Sequence, residues 1–368
     1  MNAELIYQLA LTQVTHIGFV HARILVQQLG SASAIFKASQ STLEKIEGIG
    51  EVRARSIRHF RDFGAVEKEI NFVEKYKVTT LFMNDPGYPQ RLLNCYDFPV
   101  LLFYKGTADL NASKILAIVG TRSNTDYGKQ FTEKLIKDLV THQVVITSGL
   151  AFGIDAIAHK AALKNNLATV GVIGHGLDQM YPQQHTPLAK EMVKEGGGIL
   201  TEFRSGIKPD KHNFPGRNRI VAGISDATIV IETGTKGGSI ITADLANGYN
   251  RDVFALPGKT TDHKSAGCNQ LIQRNKAILL SDAQQLIETL GWEHKEKIPK
   301  QPQRQLFIQL SGDEKCIINS FNEKDVMHID ELNLRTGLSN SAIAAAILNL
   351  ELQNILQSLP GKLYKLIT

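Results

Sequence analysis

Val144-Val-Ile-Thr-Ser-Gly-Leu-Ala-Phe-Gly-Ile-Asp-Ala-Ile-Ala-His159 reads as one strand–turn–helix unit, and the chain is organised around it. Val144-Val145-Ile146 is a short apolar run of strand type, Ala156 to Leu163 has helical character, and Gly149 and Gly153 punctuate the turn between them. Backbone N–H groups at such a turn lack an intrahelical partner and sit at the positive end of a helix dipole, which suits an anion. The spacing Gly149-x-x-x-Gly153 matches neither the dinucleotide fingerprint nor a P-loop, so a purely structural turn stays open beside the anion site.

The same alternation extends in both directions. From Lys114 to about Leu290, candidate strands fall at Ile115–Val119, Val144–Ile146, Thr169–Ile173, Gly198–Leu200, Thr228–Ile231, Val253–Leu256 and Ala277–Leu280. Helical patterns at Tyr127–Val140, Asp155–Leu163, Pro187–Lys194, Ser239–Gly248 and Asp282–Leu290 fill most intervals. Continuous apolar strands separated by helices predict an α/β fold with a doubly wound, mostly parallel sheet, whose ligands bind beyond the carboxyl ends of the strands.

Four segments are expected: a helical module at 1–64, the core at 65–292, a linker at 293–310 and a last module at 311–368. In the first, Ile46-Glu-Gly-Ile-Gly-Glu-Val-Arg-Ala-Arg-Ser-Ile57 resembles the hairpin of a helix-hairpin-helix (SAM-like) module, and Val14 to Leu25 resembles a degenerate first copy. Arg53, Arg55, Arg58 and Arg61 there are nearly cancelled by Glu44, Glu47, Glu51 and Asp62, so packing or protein contact is favoured over DNA contact. The short extended pieces near Tyr88-Pro89, Phe98-Pro99 and Leu101–Gly106 are expected to cover an edge of the sheet. Two prolines and a charged, glutamine-rich composition mark the linker. The last module follows the plan of a winged helix, yet from Asp313 onward it holds five Lys or Arg against seven Asp or Glu. No Lys or Arg lies between Ser339 and Gly361, so its second helix cannot neutralise phosphates, and protein contact or self-association is favoured.

With 368 residues, 43% of them hydrophobic, the chain can bury more than one core. Cys95, Cys268 and Cys316 are too scattered for a metal or redox pair. Met1-Asn-Ala-Glu is not a basic signal region, and no apolar run approaches the roughly 18 residues that span a bilayer. A cytoplasmic, reduced protein is expected. The net charge of +5 is modest, so an acidic partner has to be argued from where the charge sits.

That charge is concentrated. Phe203 to Arg219 carries Arg204, Lys208, Lys211, Arg217 and Arg219 against the single acid Asp210, a net of +4 in 17 residues. Phe203 and Phe214 stand among these cations, and Phe214 is the expected stacking face because it abuts the arginines. Cations for phosphates and rings for bases are what single-stranded nucleic acid requires. Gly120-Thr121-Arg122 ends the first core strand, where a planar guanidinium can hold a phosphate bidentately. Lys236 and the N–H groups of Gly237 to Ser239 predict a second anion-binding concavity. No P-loop, nucleophile elbow or metal-ligand spacing is complete, and no cofactor is expected. Asp155 and His159, at i and i+4, could form an acid–base pair, but capping explains an aspartate at a helix start as well.

Taken together, Ile118-Val-Gly-Thr-Arg122, Tyr127-Gly128, Ser148-Gly-Leu-Ala-x-Gly-Ile-Asp155 with His159, Gly176-Leu-Asp178 with Tyr181-Pro182, and Phe214-Pro-x-Arg-Asn-Arg219 resemble the bacterial DNA-processing DprA (Smf) family. Ile241-Thr-Ala243 and Leu256-Pro-Gly258 with Gly267-Cys-Asn-Gln-Leu-Ile272 extend the likeness, which covers about residues 80 to 290. The resemblance implies an extended Rossmann-like core that binds single-stranded DNA without catalysis, forms a homodimer, protects incoming strands and loads the RecA recombinase in natural transformation. The strand-contacting set expected here is Gly120, Thr121, Arg122, Ser148, Gly149, Lys211, Phe214, Arg217, Asn218, Arg219, Lys236, Gly238 and Ser239. Gly237 departs from the family, where serine is usual, so only its backbone N–H is expected to act. The alternative is a Rossmann-like nucleotide-processing enzyme of the nucleoside monophosphate hydrolase type. Such enzymes resemble Pro-Gly-Gly-x-Gly-Thr-x-x-Glu, whereas here Pro257-Gly258 is followed by Lys259 and the Gly234 turn lacks the proline and the glutamate.

Overall fold

The computed structural model describes residues 3–293, 310–321, 324–353, 355–359 and 362–367. The expected linker at 293–310 lies almost wholly outside the described residues. The chain forms two compact units, residues 1–293 and 294–368.

The first unit opens with six helices, α1 (Ala3–Leu11), α2 (Phe19–Leu29), α3 (Ala32–Lys37), α4 (Gln40–Glu44), α5 (Gly50–Arg58) and α6 (Phe63–Lys75). Ser31, Ser39 and Asp62 cap three of them by accepting a backbone N–H two or three residues into the helix. Gly48 (φ +82°) and Gly50 (φ +60°) form the sharp hairpin before α5, a backbone that other residues rarely adopt. The expected boundary at 64 falls within α6.

A nine-stranded sheet follows: β1 (Thr79–Phe82), then α7 (Gln90–Leu93), β2 (Leu101–Gly106), β3 (Ile115–Val119), α8 (Asp126–Asp138), β4 (Val145–Ser148), α9 (Ile154–Lys164), β5 (Thr169–Val172), α10 (Thr186–Lys194), β6 (Gly198–Thr201), α11 (Asn213–Gly223), β7 (Ala227–Val230), α12 (Gly238–Gly248), β8 (Asp252–Ala255), α13 (Ala266–Gln273), β9 (Ile278–Leu279) and α14 (Ala283–Thr289). Its order is β1-β2-β6-β5-β4-β3-β7-β8-β9. β3 to β9 pair in parallel wherever they meet, whereas β2 runs antiparallel to β6, with Phe103 opposite Thr201, and β1 antiparallel to β2. Leu101–Gly106 and the strand before it thus extend the sheet rather than covering its edge. The sheet is doubly wound and Rossmann-like.

Alternation along β3 divides the interior. Ile115, Ala117 and Val119 join a cluster with Leu9, Leu25, Ile57, Tyr88, Ile220 and Ala243, so the N-terminal helices, α11 and α12 share one face. Leu116 and Ile118 join Leu135, Ile154, Phe254 and Leu286 on the other, under α8, α9 and α14. Leu150, Ile173, Leu188 and Met192 form a smaller cluster beneath α10.

One helix corrects the sequence reading. Phe203–Arg219, expected as a single basic loop, becomes helical from Asn213, because α11 starts there. Pro215 and Gly216 disguise it, but a proline within the first turn costs no hydrogen bond, since the first four N–H groups of a helix have no partner in any case.

The second unit comprises α15 (Gly312–Ser320), β10 (Val326–His328), α16 (Ile329–Thr336), α17 (Asn340–Leu352), β11 (Leu356–Leu359) and β12 (Leu363–Leu366). Ser311 and Glu314 close a capping box on α15, and Gly337 (φ +67°) ends α16. The strands pair antiparallel in the order β10-β12-β11 over a core of Ile317, Phe321, Met327, Leu332, Ile343, Ile347 and Leu350. This is the expected winged helix.

Candidate nucleic-acid interface

The chain winds outward from β3 through β4 and β5 to β6, then returns to place β7 on the other flank of β3. Connections leaving β3 and β7 therefore diverge, and a crevice opens at this switch point. A cavity of about 310 Å³ lies there. Gly120, Thr121 and Arg122 after β3, Gly149, Ala151 and Asp155 after β4, and Phe214, Arg217 and Asn218 of α11 form three of its walls. The turn between β7 and α12 closes it with Gly234, Gly237, Gly238 and Ser239.

The opening turn already holds an anion, and it is the chain's own. Asp155 is buried, and its Oδ2 accepts the N–H groups of Gly149 (3.1 Å) and Ala151 (3.3 Å). Beneath it lies the buried guanidinium of Arg217, whose Nη1 donates to the carbonyls of Gly149 and of Val172 (2.6 Å for the latter). A Cβ on Gly149 would strike that guanidinium. Burial pushes the Asp155 carboxyl up, while Arg217 and the backbone donors oppose the shift. Two N–H groups converging on one oxygen suit the ionised form. The expected external anion site at Gly149–Gly153 is accordingly filled from within.

His159 does not face the crevice. It is fully buried, its Nδ1 lies 2.7 Å from Thr169 Oγ1, and that hydroxyl in turn donates to the Ile146 carbonyl. Burial, with His185 and Arg217 adding to it, pushes the imidazole pKa down to about 3. Asp155 thus ties down the turn before α9 without capping an N–H of the helix, and His159 bonds Thr169, so the two residues serve separate structural contacts.

The free donors lie opposite. Gly238 and Ser239 open α12, and their N–H groups have no acceptor among the described residues. The N–H of Gly237, expected to join them, instead turns to the Gly234 carbonyl (3.2 Å). Arg122 is exposed, makes no ion pair among the described residues, and holds its guanidinium carbon 5.8 Å from the ring centre of Phe214. Next to Phe214 stands Tyr181, with ring centres 6.0 Å apart and planes tilted by 39°. A second cavity, about 510 Å³, adjoins the first through Arg122, Phe214, Asn218 and Gly238, and exposed Lys211 lies on its wall.

Three expected contacts are not brought to these walls. Ser148 is buried beneath the floor, donating to the Ile118 carbonyl at 2.6 Å. Arg219 is two residues after Arg217, about 200° round the helix, and so faces away. It is buried against Glu202 and the Asp97 carbonyl, and its guanidinium lies 4.6 Å from the Phe19 ring of α2. Lys236 is exposed on its turn and lines neither cavity.

Sequence reasoning missed Glu232. Its carbonyl accepts from Thr121 N–H (2.7 Å) and its carboxylate from Thr125 N–H (2.9 Å), which fixes the loop bearing Arg122. The one signal was an acid at the end of an apolar strand. Among the described residues no group of three or more His, Cys, Asp or Glu is placed to hold a metal ion, and no helix is long and apolar enough to cross a membrane.

The family model for DNA recombination-mediator protein A matches residues 79–291, and that for the DprA winged helix domain matches residues 300–362. Protein Smf of Synechocystis sp. is 33% identical over 99% of both chains. The chain belongs to the DprA/Smf family. DNA processing protein DprA of Streptococcus pneumoniae is 42% identical over 58% of this chain and 76% of its own. The crystal structure of the S. pneumoniae DprA superposes with a TM-score of 0.66 at 34% identity, over 77% of this chain and 96% of that one. A Helicobacter pylori DprA, described for its single-stranded DNA binding mode, superposes with a TM-score of 0.53 at 32% identity, over 59% of this chain and 96% of that one. DprA membership accounts for both units, since the two family models fall one on each.

Proposed function

We propose that this DprA/Smf chain binds single-stranded DNA in the crevice, without catalysing a reaction on it. The observation that carries the reading is the Arg122–Phe214 pair: an exposed guanidinium without an ion-pair partner among the described residues, standing over a ring beside the free N–H groups of Gly238 and Ser239. A guanidinium and a helix N-terminus hold a phosphate, and a ring offers a stacking face that any base can use. The single-stranded DNA described for the H. pylori relative supports the same ligand. Of the expected set, Gly120, Thr121, Arg122, Gly149, Phe214, Arg217, Asn218, Gly238 and Ser239 form the crevice, and Lys211 extends it.

In the cell the protein acts in the cytoplasm as a homodimer that protects incoming strands and passes them to the RecA recombinase. The description of the family as a recombination mediator supports this role. Leu334, Leu348 and Leu352 are exposed on the winged helix, which supports protein contact there. The hydrolase alternative needs a free carboxylate at Asp155, whose Oδ2 is engaged by two backbone N–H groups, so no observation favours it.

Arg122→Ala is expected to weaken oligothymidylate binding about tenfold at low salt and to lower the slope of log affinity against log salt by about 0.7. Phe214→Ala is expected to cost about 1–3 kcal/mol while leaving that slope unchanged. Fluorescence anisotropy titrations at several salt concentrations read both. Unchanged affinity in the double variant sinks the assignment.

A further inference from the structure

A cavity of about 830 Å³ in the first unit lies outside the crevice. It is walled by α6, α10 and the loop after β5, with Lys105 of β2 and Ile199 of β6 also lining it. Tyr181 and Pro209 line both this cavity and the 510 Å³ one, which in turn shares Arg122 and Phe214 with the crevice. The three therefore adjoin as one trough.

The wall of the large cavity is mostly apolar, with aromatic rings and three charged side chains, Lys105, Asp178 and Lys190, set in it. Tyr181 is 47% exposed at the junction, and Tyr76, 49% exposed, stands in the large cavity with its ring 4.8 Å from that of Phe72. Lys190 of α10 is exposed and makes no ion pair among the described residues. The Lys105 ammonium rests on the carbonyls of Tyr76 and Lys77 and brings a second positive charge. Asp178, the one acid on the wall, already accepts the Gly206 N–H at 3.0 Å. Two ammonium groups against one engaged carboxylate, with half-exposed rings spaced along the path, suit a nucleic-acid strand whose bases stack without being read.

We propose that single-stranded DNA leaves the crevice over Phe214 and Tyr181 and continues into this cavity, with bases against Tyr76 and backbone passing Lys190. The inference rests on the reading of the crevice as the strand site.

Oligothymidylates of about 6 and about 16 nucleotides separate the two, because the short one fills only part of a site of the size such grooves offer. Both are titrated by anisotropy against the full chain and against Tyr76→Ala/Lys190→Glu. The expected result is a roughly tenfold loss for the long strand and no comparable loss for the short one, with Tyr76→Phe/Lys190 intact binding as the parent does. Unchanged long-strand affinity overturns the proposal, and that is also the outcome if the cavity serves a protein or small molecule. An equal loss on both strands overturns it too, since the damage then lies in the crevice or the fold. Failure of the crevice reading has a different signature: the parent binds the short strand no better than Arg122→Ala does.

Discussion

His159 lies wholly inside the protein, and burial keeps its imidazole neutral down to about pH 3. An unfolded histidine titrates near 6.5. Below that value the unfolded chain binds a proton that the folded chain refuses, so stability falls as the pH is lowered. The loss approaches about 1.4 kcal/mol per pH unit between 6.5 and 3. His159→Gln is expected to flatten this part of the stability profile, which denaturant titrations at pH 7, 6 and 5 would read. A variant whose pH slope equals the parent's would remove His159 from the account. Such a role was legible only as the bland half of a choice. The i, i+4 spacing of Asp155 and His159 shows that they share a helix face, but not that this face is turned toward Thr169 and away from solvent.

At the scale of elements, α11 serves two parts of the first unit at once. Arg217 and Asn218 face the crevice, whereas Arg219 faces α2 and completes a buried pair with Glu202. Glu202→Ala would leave that guanidinium buried without its carboxylate, at a cost of about 3–5 kcal/mol. Thermal unfolding should show a clearly lowered midpoint, and a shift of a degree or less would mean that the pair contributes little. The parallel strands were readable from the sequence because strands covered on both faces are continuous apolar runs, as Ile115–Val119 is. α11 was not, since its basic, proline- and glycine-containing start resembles a loop. Without the helix, the opposite fates of Arg217 and Arg219 cannot be foreseen, because only the helical repeat separates them. The Lys236 turn was legible as an N-terminus, but which of its N–H groups stays free depends on the Gly237–Gly234 hydrogen bond.

Across the whole molecule, all walls of the crevice and its extension lie between Phe72 and Thr242. A chain ending at residue 293 is therefore expected to bind a long oligothymidylate within about twofold of the full chain, as the net-acidic last module brings no phosphate-neutralising helix. A large loss on truncation would instead assign strand contacts to the winged helix. Module order was legible from composition and glycine placement, whereas the shared core that joins the N-terminal helices to one face of the sheet was not, because helical periodicity does not say what a face packs against. The carboxylate of Asp155 has a last consequence at this scale. Because Asp155 satisfies the turn beside the crevice from within, that turn keeps its shape whether or not a phosphate is bound opposite it at Arg122 and the Gly238 and Ser239 N–H groups. The wall is thus built before any ligand arrives, and binding there draws only on the exposed groups that face it.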